Sequence, residues 1–373
     1  MHAVVYRGIE DLRVETVPVP EIGAGELLVK VAVCGVCPTD IKKIHYGLQT
    51  PPRIYGHETA GTIVKIGGGK TSLIVHSPAS PKFTLKIGDR VALHHHVPCM
   101  ICHFCRHRAF AQCATNKRTG ITAGFEPAGG GFAEYVRVMP FVLPGVVKIP
   151  PKNTFEEAAM FEPLNTVLKA VNRLTLMPGD RVLVAGQGPI GLMFTKLLKL
   201  RGVNVLATDL LESRLKLAKK FGAKWIVNLS SKPSDESLAE VAGKKKGEGS
   251  AIFDAAVVAV PSDAAVRQAL QRVRGAGQVL LFAHTKRASV GNSGSDLYPL
   301  DLASICVDEK DLIGSYAADF TIQKEVGRLI FSREFDMRKL ITHRFPLEKT
   351  ADAVALAAHP TQDSLKIVVT LGS

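Results

Sequence analysis

The strongest chemical pattern in the chain is a set of four cysteines with the spacing C-x2-C-x2-C-x7-C. They are Cys99, Cys102, Cys105 and Cys113. Four thiolates on one short loop can close a tetrahedral zinc site that leaves no position open for water or substrate. Such a site is structural, and its closed coordination argues against these cysteines acting as nucleophiles. An iron–sulfur cluster is the less favoured alternative.

A second group of metal-binding side chains precedes the four cysteines. Cys37 lies in the segment CGVCPTD, and His57 and Glu58 lie in YGHE. A thiolate, an imidazole and a carboxylate are the ligand types that zinc accepts in a site with an open coordination position. Taken singly, a cysteine is commonly a small buried side chain and a histidine a packed or surface one. Their combination beside turn glycines predicts a catalytic metal site.

A glycine-rich turn follows a predicted buried strand at residues 182–185. It carries the pattern G-x-G-x-x-G, formed by Gly186, Gly188, Pro189, Ile190 and Gly191. This pattern alone is often only a helix-capping turn. Here a strand, the glycines, a helix, a second strand and an acid occur in order, which indicates a dinucleotide whose pyrophosphate lies at the helix N-terminus.

The acid at the end of the second strand is Asp209. A carboxylate about 20 residues beyond the glycines accepts hydrogen bonds from the adenosine ribose and repels a 2′-phosphate. The sequence therefore favours NAD over NADP. Arg214 is a candidate contact for the adenosine end of the cofactor, although an arginine at this point of a helix is commonly only solvated.

The elements around these residues indicate an α/β protein with two domains. Short β-rich segments separated by Gly and Pro turns predict an antiparallel, barrel-like first domain. After residue 180, strands alternate with helices, which predicts a doubly wound parallel sheet. The tail, with a strand at 366–371, is expected to return to the first domain. The predicted domains are residues 1–164 with 315–373, and residues 165–314.

Two segments of the first domain receive no chemical role. Residues 65–89 are rich in Gly, Ser, Pro and Lys and predict a surface excursion between strands. His94, His95 and His96 resemble a metal-binding tract, but three successive side chains cannot easily converge. A strand that points them alternately in and out is therefore predicted.

Composition indicates a globular protein. The chain has 373 residues, of which 46% are hydrophobic, and no apolar run is long enough to span a bilayer. The amino terminus lacks signal-peptide features, and clustered cysteines favour metal over disulfides. We therefore expect a cytoplasmic protein without a membrane partner.

The net charge of the chain is +13, but its basic residues are scattered along the sequence. The densest cluster of lysines, at 244–246, is expected to be a solvated loop. Nucleic acid is not expected as a partner, although a nucleic-acid-binding zinc protein is the alternative from another class.

With these motifs assembled, the chain resembles the zinc-dependent medium-chain dehydrogenase/reductase family, in particular its sorbitol- or polyol- and threonine-dehydrogenase-like branch. The resemblance covers nearly the whole chain and rests on residues 35–40, 56–58 and 161–163, the four-cysteine segment and the nucleotide fingerprint. It implies a GroES-like β-barrel catalytic domain, a Rossmann domain and an active site in the cleft between them. The implied activity is hydride transfer from a secondary alcohol, a polyol or a threonine-like amino alcohol to NAD. The implied assembly is a homotetramer or homodimer.

The resemblance also implies roles for individual residues. Cys37 and His57 bind the catalytic zinc, and Glu58 and Glu162 ligate it directly or through water. By itself, a glutamate before a proline, as Glu162 is, would indicate only a helix end. Its family position is the one where alcohol dehydrogenases carry a second cysteine, and this points to the polyol-like branch.

Thr39 is implied as the residue that passes the substrate's hydroxyl proton toward solvent. The histidine that often ends this relay is replaced by Lys42, and His45 is a candidate substitute. The substrate pocket is expected around Tyr46, residues 125–126 and His284.

Two other functions stay open within the same fold. One is a zinc-independent NADPH enone or quinone reductase, against which the metal-binding residues and Asp209 speak. The other is a non-catalytic, NAD-binding regulatory protein, since ligands in a sequence do not establish that the metal is bound.

Overall fold

The computed structural model describes residues 1–77, 80–118, 129–231, 241, 253–283 and 300–372. The chain forms two compact units, one of Met1–Thr166 with Ala317–Ser373 and the other of Val167–Tyr316. Each predicted domain boundary lies two residues before the corresponding boundary between these units. The lysine cluster at 244–246 and the expected pocket residues 125, 126 and 284 lie outside the described residues.

The strands and helices are numbered here in chain order. The strands are β1 (His2–Gly8), β2 (Asp11–Thr16), β3 (Leu27–Gly35), β4 (Arg53–Ile54), β5 (Glu58–Ile66), β6 (Ser72–Ser77), β7 (Ser80–Lys86), β8 (Arg90–Leu93), β9 (Tyr135–Val138), β10 (Val146–Lys148), β11 (Arg181–Ala185), β12 (Asn204–Asp209), β13 (Trp225–Asn228), β14 (Phe253–Val258), β15 (Val273–Leu281), β16 (Asp311–Gly314), β17 (Ile341–Pro346) and β18 (Lys366–Thr370). The helices are α1 (Pro38–His45), α2 (His103–Arg106), α3 (Ala114–Arg118), α4 (Phe155–Ala159), α5 (Phe161–Val171), α6 (Pro189–Leu200), α7 (Glu212–Phe221), α8 (Asp263–Arg272), α9 (Leu302–Val307), α10 (Gln323–Phe331) and α11 (Thr350–Ala358).

The first unit is built around a largely antiparallel sheet with the order β10-β8-β5-β3-β18-β17, and β9 also pairs with β3. The central strand β3 is buried along most of its length, which explains its nearly continuous apolar sequence. The C-terminal strand β18 runs antiparallel to β3, with Val368 opposite Gly35. The tail of the chain thereby brings Lys366, at the start of β18, to the edge of the candidate site.

Residues 65–89 form more than a simple excursion. They contain the hairpin β6–β7, whose Val75 and Leu85 are buried in the core of the unit.

The prediction of a strand through the three consecutive histidines is wrong, because β8 ends at Leu93. Beyond it the chain turns tightly, since the N–H of Val97 donates to the carbonyl of His95 at 2.9 Å. A turn, unlike a strand, does not alternate side chains between two faces.

The second unit contains a parallel sheet with the order β13-β12-β11-β14-β15-β16. Counted from β11, this is the order 3-2-1-4-5-6 of a doubly wound nucleotide-binding fold. The first crossover helix, α6, buries Leu192, Phe194, Leu197 and Leu198. It ends just before Gly202, which has a φ of 76°. Among the described residues, no helix has both the length and the apolar character needed to cross a membrane.

Candidate active site

Helix α1 positions the first group of candidate site residues. It begins at Pro38, whose fixed φ suits the first helical position, and Cys37 is its extended N-cap residue. The hydroxyl of Thr39 donates to the sulfur of Cys37 at 3.1 Å and lies 3.4 Å from Nε2 of His57. The structure therefore brings Cys37, Thr39 and His57 together around one point.

The other ring nitrogen of His57 is held by Asp40, from the same helix. Nδ1 of His57 lies 3.1 Å from Oδ1 of Asp40, and both side chains are buried. Burial disfavours both charged forms, but the opposite charges outweigh it: the pKa of His57 is raised well above its usual value and that of Asp40 is lowered. Asp40 thereby fixes the orientation of the imidazole, as carboxylates do behind metal-binding histidines.

Glu58 begins β5 next to His57 and is buried, but it faces a cation from the tail of the chain. The ammonium of Lys366 forms an ion pair with its carboxylate and donates to the carbonyl of Val36 at 2.8 Å. Burial alone would lower the pKa of Lys366, but the charge of Glu58 raises it. A Cβ at Gly35 would stand 1.9 Å from Oε2 of Glu58, so only glycine leaves room for this pair.

Glu162 lies in the first turn of α5, directly after the end of α4, and is buried. Its Oε1 lies 3.3 Å from Nδ1 of His96. Burial raises the pKa of Glu162 to about 7. The ring of His95 packs between its neighbours, with centroid distances of 4.0 Å to His96 and 5.3 Å to His57. Burial, with the neighbouring histidines, lowers the pKa of His95 well below its usual value.

The partners of the buried carboxylates indicate where a metal ion would fit. Asp40 is paired with His57 and Glu58 with Lys366, whereas Glu162 has no lysine or arginine partner within the part of the chain that the structure describes. A buried carboxylate without a cation is costly. Cys37, His57 and Glu162 offer a thiolate, an imidazole and a carboxylate, the donor set that zinc accepts with a position left open. The chemistry of these three residues therefore suits a catalytic zinc, and Glu58 is engaged elsewhere. Among the described residues, only the four clustered cysteines have ligand atoms that all lie within 4.8 Å of one another.

The four clustered cysteines also suit a metal ion. The sulfur atoms of Cys99, Cys102, Cys105 and Cys113 all lie within 4.8 Å of one another. Burial would raise the pKa of Cys113, but hydrogen bonds from backbone amides lower it to about 6, whereas burial and the neighbouring thiols raise the pKa of Cys105 to about 12. The shifts are opposite because a thiolate at one position makes ionisation of its neighbour more costly. A bound dication removes that cost, so the set fits a closed zinc site.

The glycine loop of the second unit is shaped by contacts that exclude side chains. Gly186 has a φ of 91°, a conformation that favours glycine. A Cβ at Gly191 would stand 1.8 Å from the carbonyl oxygen of Gly186, so this glycine allows α6 to pack on the end of β11. A Cβ at Gly188 would meet no atom within 4 Å. The protein itself therefore leaves the space above Gly188 open, where a pyrophosphate would approach the N-terminus of α6.

Asp209 ends β12 beside this loop. Its Oδ2 accepts a hydrogen bond from the backbone N–H of Gln187 at 2.6 Å, and its Oδ1 accepts one from Leu211 at 3.0 Å. Each carboxylate oxygen has a second lone pair that can accept a ribose hydroxyl. In α7, Nε of Arg214 is buried without a hydrogen-bond partner among the described residues. The acid and the arginine can both serve the adenosine end of a dinucleotide.

Sequence reasoning missed four residues of this site. Asp40 and Lys366 received no role, and His95 and His96 were assigned to a strand. A single lysine before the apolar run of β18 was the available signal for Lys366.

The two residues considered for the end of a proton relay are His45 and Lys42. Nδ1 of His45 lies 3.0 Å from Oε1 of Glu10. Burial lowers the pKa of Lys42, which occupies the position where the relay histidine is often found.

Comparison with known proteins agrees with this fold and site. Residues 23–151 match the family described as alcohol dehydrogenase GroES-like domain, and residues 189–332 match the family described as zinc-binding dehydrogenase. A sorbitol dehydrogenase of Bombyx mori is 31% identical over 95% of each chain. An alcohol dehydrogenase of Escherichia coli CFT073, solved with NADH, has a TM-score of 0.81 at 27% identity over 99% of each chain. The alcohol dehydrogenase TADH of Thermus sp. ATN1 has a TM-score of 0.80 at 26% identity over 100% of each chain.

A largely antiparallel unit with buried zinc-type ligands and a doubly wound unit with a glycine loop define the class of zinc-binding, nucleotide-dependent dehydrogenases. Within this class, the chain belongs to the medium-chain dehydrogenase/reductase family. The expected family, fold class and oxidoreductase activity are thus confirmed. The substrate is a small molecule, and the reaction uses a nicotinamide nucleotide and zinc.

The glycine loop yields a prediction that separates binding from folding. We expect Gly188→Ala to weaken dinucleotide binding by about 10-fold or more, because overpacking costs about 1–3 kcal/mol, without lowering the thermal midpoint of the nucleotide-free protein. Gly191→Ala should lower that midpoint, because its methyl group meets backbone. Calorimetric titration and thermal unfolding measure the two effects. Unchanged binding in Gly188→Ala, or an unchanged midpoint in Gly191→Ala, would contradict the assignment.

Proposed function

We propose that the protein oxidises a secondary alcohol or polyol, with zinc held by Cys37, His57 and Glu162 and with NAD as hydride acceptor. The observation that carries this proposal is the convergence of the Cys37 sulfur, the His57 imidazole and the Thr39 hydroxyl, with a buried carboxylate that lacks a cationic partner. The sorbitol dehydrogenases, at about 30% identity over most of the chain, support the polyol branch. Threonine-like amino alcohols stay within the proposed range.

When zinc is bound, it supplies Lewis acidity that lowers the pKa of an alcohol hydroxyl and so favours the departure of hydride. The chain's own residues do the rest. Asp40 holds the His57 ring with Nε2 directed at the group of ligands. The hydroxyl of Thr39, in contact with both ligand side chains, accepts the proton of the alcohol as it releases its own proton toward solvent. The amides at the N-terminus of α6 orient the nucleotide.

Three finer assignments belong to the proposal. The four clustered cysteines hold a second, structural zinc, supported by the proximity of their sulfur atoms. The protein forms a homotetramer or homodimer, as is common in the family. It works in the cytoplasm, where thiols remain reduced and available to metals.

The zinc-independent reductase is the second candidate, and the site argues against it. That reading gives no function to the convergence of Cys37 and His57, and it leaves Glu162 as a buried carboxylate without a lysine or arginine partner among the described residues.

A direct test follows NADH formation by the zinc-replete protein with polyols, secondary alcohols and threonine, with a chelator-treated sample in parallel. We expect chelator-sensitive turnover on one of these substrate classes. Cys37→Ser should abolish that turnover while leaving NAD binding intact. Cys34→Ser is the matched control, because this neighbouring cysteine is buried in β3 against Thr59 and should retain activity. Full activity in Cys37→Ser would remove zinc from the chemistry. Absence of NAD-dependent turnover on every substrate would favour the reductase, which NADPH with enones then tests.

The preference for NAD is proposed from the carboxylate at the end of β12. We expect Asp209→Gly to lower the ratio of kcat/KM for NAD to that for NADP, because repulsion of the 2′-phosphate is lost. Asp209 also accepts two backbone hydrogen bonds, so the glycine variant disturbs the loop as well. Asp209→Asn removes the charge with little change in shape and serves as the companion. An unchanged ratio in both variants would count against this role.

A further inference from the structure

His95 is a buried histidine beside the candidate zinc site, to which neither the proposed reaction nor the packing gives a role. Its side chain is only 3% exposed, and its ring lies against His57, a proposed zinc ligand, and against His96, which reaches Glu162. The turn after β8 fixes it there.

The neighbouring histidines each have a polar partner. Nδ1 of His57 faces Asp40, Nδ1 of His96 faces Glu162, and Nδ1 of His94 lies 3.1 Å from Oε1 of Gln323. Nδ1 of His95 is buried and has no hydrogen-bond partner within the described ranges.

A buried nitrogen that makes no hydrogen bond is costly, and native structures that retain one commonly use it for a ligand or an ordered water. An apolar ring would fill the same volume without that cost. The imidazole therefore suits a partner that arrives with the substrate.

The kind of partner follows from the chemistry of an imidazole. Each ring nitrogen donates or accepts one hydrogen bond, depending on the tautomer. A hydroxyl group, which both donates and accepts, complements Nδ1 in either tautomer. A monohydric alcohol bound through its single hydroxyl at the zinc would leave His95 without a partner.

We propose that His95 is a specificity-determining residue that hydrogen-bonds the hydroxyl next to the carbon being oxidised, so that the enzyme prefers vicinal diols and polyols to monohydric secondary alcohols. This inference rests on the proposed function, because it assumes that an alcohol is oxidised at Cys37, His57 and Glu162.

The test compares two substrates with the same carbon chain, a vicinal butanediol and the secondary butanol. The wild-type protein should have a higher kcat/KM for the diol. His95→Phe keeps a planar ring but removes the hydrogen bond, and it should lower kcat/KM for the diol by about 10-fold or more while changing that for the monohydric alcohol by less than about 3-fold. His95→Asn, which keeps a donor and an acceptor, should recover much of the loss.

A binding measurement complements the kinetics. Calorimetric titration of the diol into zinc-loaded protein that already holds NADH, which cannot accept hydride, should show about 10-fold weaker binding in His95→Phe. Zinc content is measured in each variant and should equal that of the wild type.

Several results would overturn the inference while leaving the proposed function in place. They are a wild-type protein without a preference for the diol, an equal loss on both substrates in His95→Phe, or loss of zinc in either variant, which would make His95 a support of the metal site. A wild-type protein that oxidises neither of these alcohols, nor any other polyol, secondary alcohol or threonine, would instead contradict the proposed function itself.

Discussion

The first unit depends on burying several ionisable side chains in one small region. Five of them are at most 6% exposed: Asp40, His57, Glu58, Glu162 and Lys366. Each buried ion costs several kcal/mol unless it is paired and hydrogen-bonded. The unit meets this constraint with contacts between distant parts of the chain, since α1 supplies the partner of His57 and β18 supplies the partner of Glu58. The one carboxylate of this group left without a lysine, arginine or histidine partner of opposite charge in the same set is Glu162, and a metal ion bound there would complete the balance.

This arrangement separates residues that a single sequence motif places side by side. His57 immediately precedes β5 and Glu58 begins it, yet their side chains have different partners. His57 faces Cys37 and Thr39, whereas Glu58 faces Lys366. We therefore assign His57 to the metal and Glu58 to the structure behind it. In the second unit, close packing requires that a side chain be absent. Gly191 has none, so α6 can begin directly above the end of β11.

Local patterns in the sequence predict much of this molecule, because their structures depend on neighbouring residues. The glycine loop, the helix after it and Asp209 at the end of the next strand occur where the sequence puts them. The four cysteines are close in the chain and close in space. Lys366 could not be predicted in the same way, because more than three hundred residues separate it from the partner whose charge allows its burial.

The three consecutive histidines show a different limit. Their sequence is compatible with a strand, and alternation would have separated their side chains. The tight turn closed by the hydrogen bond from Val97 to His95 interrupts this alternation, so His95 lies against both His96 and His57. The site thus contains imidazoles that no spacing rule would have brought there.

The measurement that tests the central claim most directly is the zinc content of the purified protein together with its zinc K-edge X-ray absorption spectrum. The account predicts zinc in two environments, one with four sulfur ligands and one with a single sulfur and light nitrogen or oxygen ligands. In Cys37→Ser, the mixed environment should be lost or lack its sulfur, while the four-sulfur environment remains. Zinc found only with four sulfur ligands in the wild-type protein would contradict the proposed role of Cys37, His57 and Glu162.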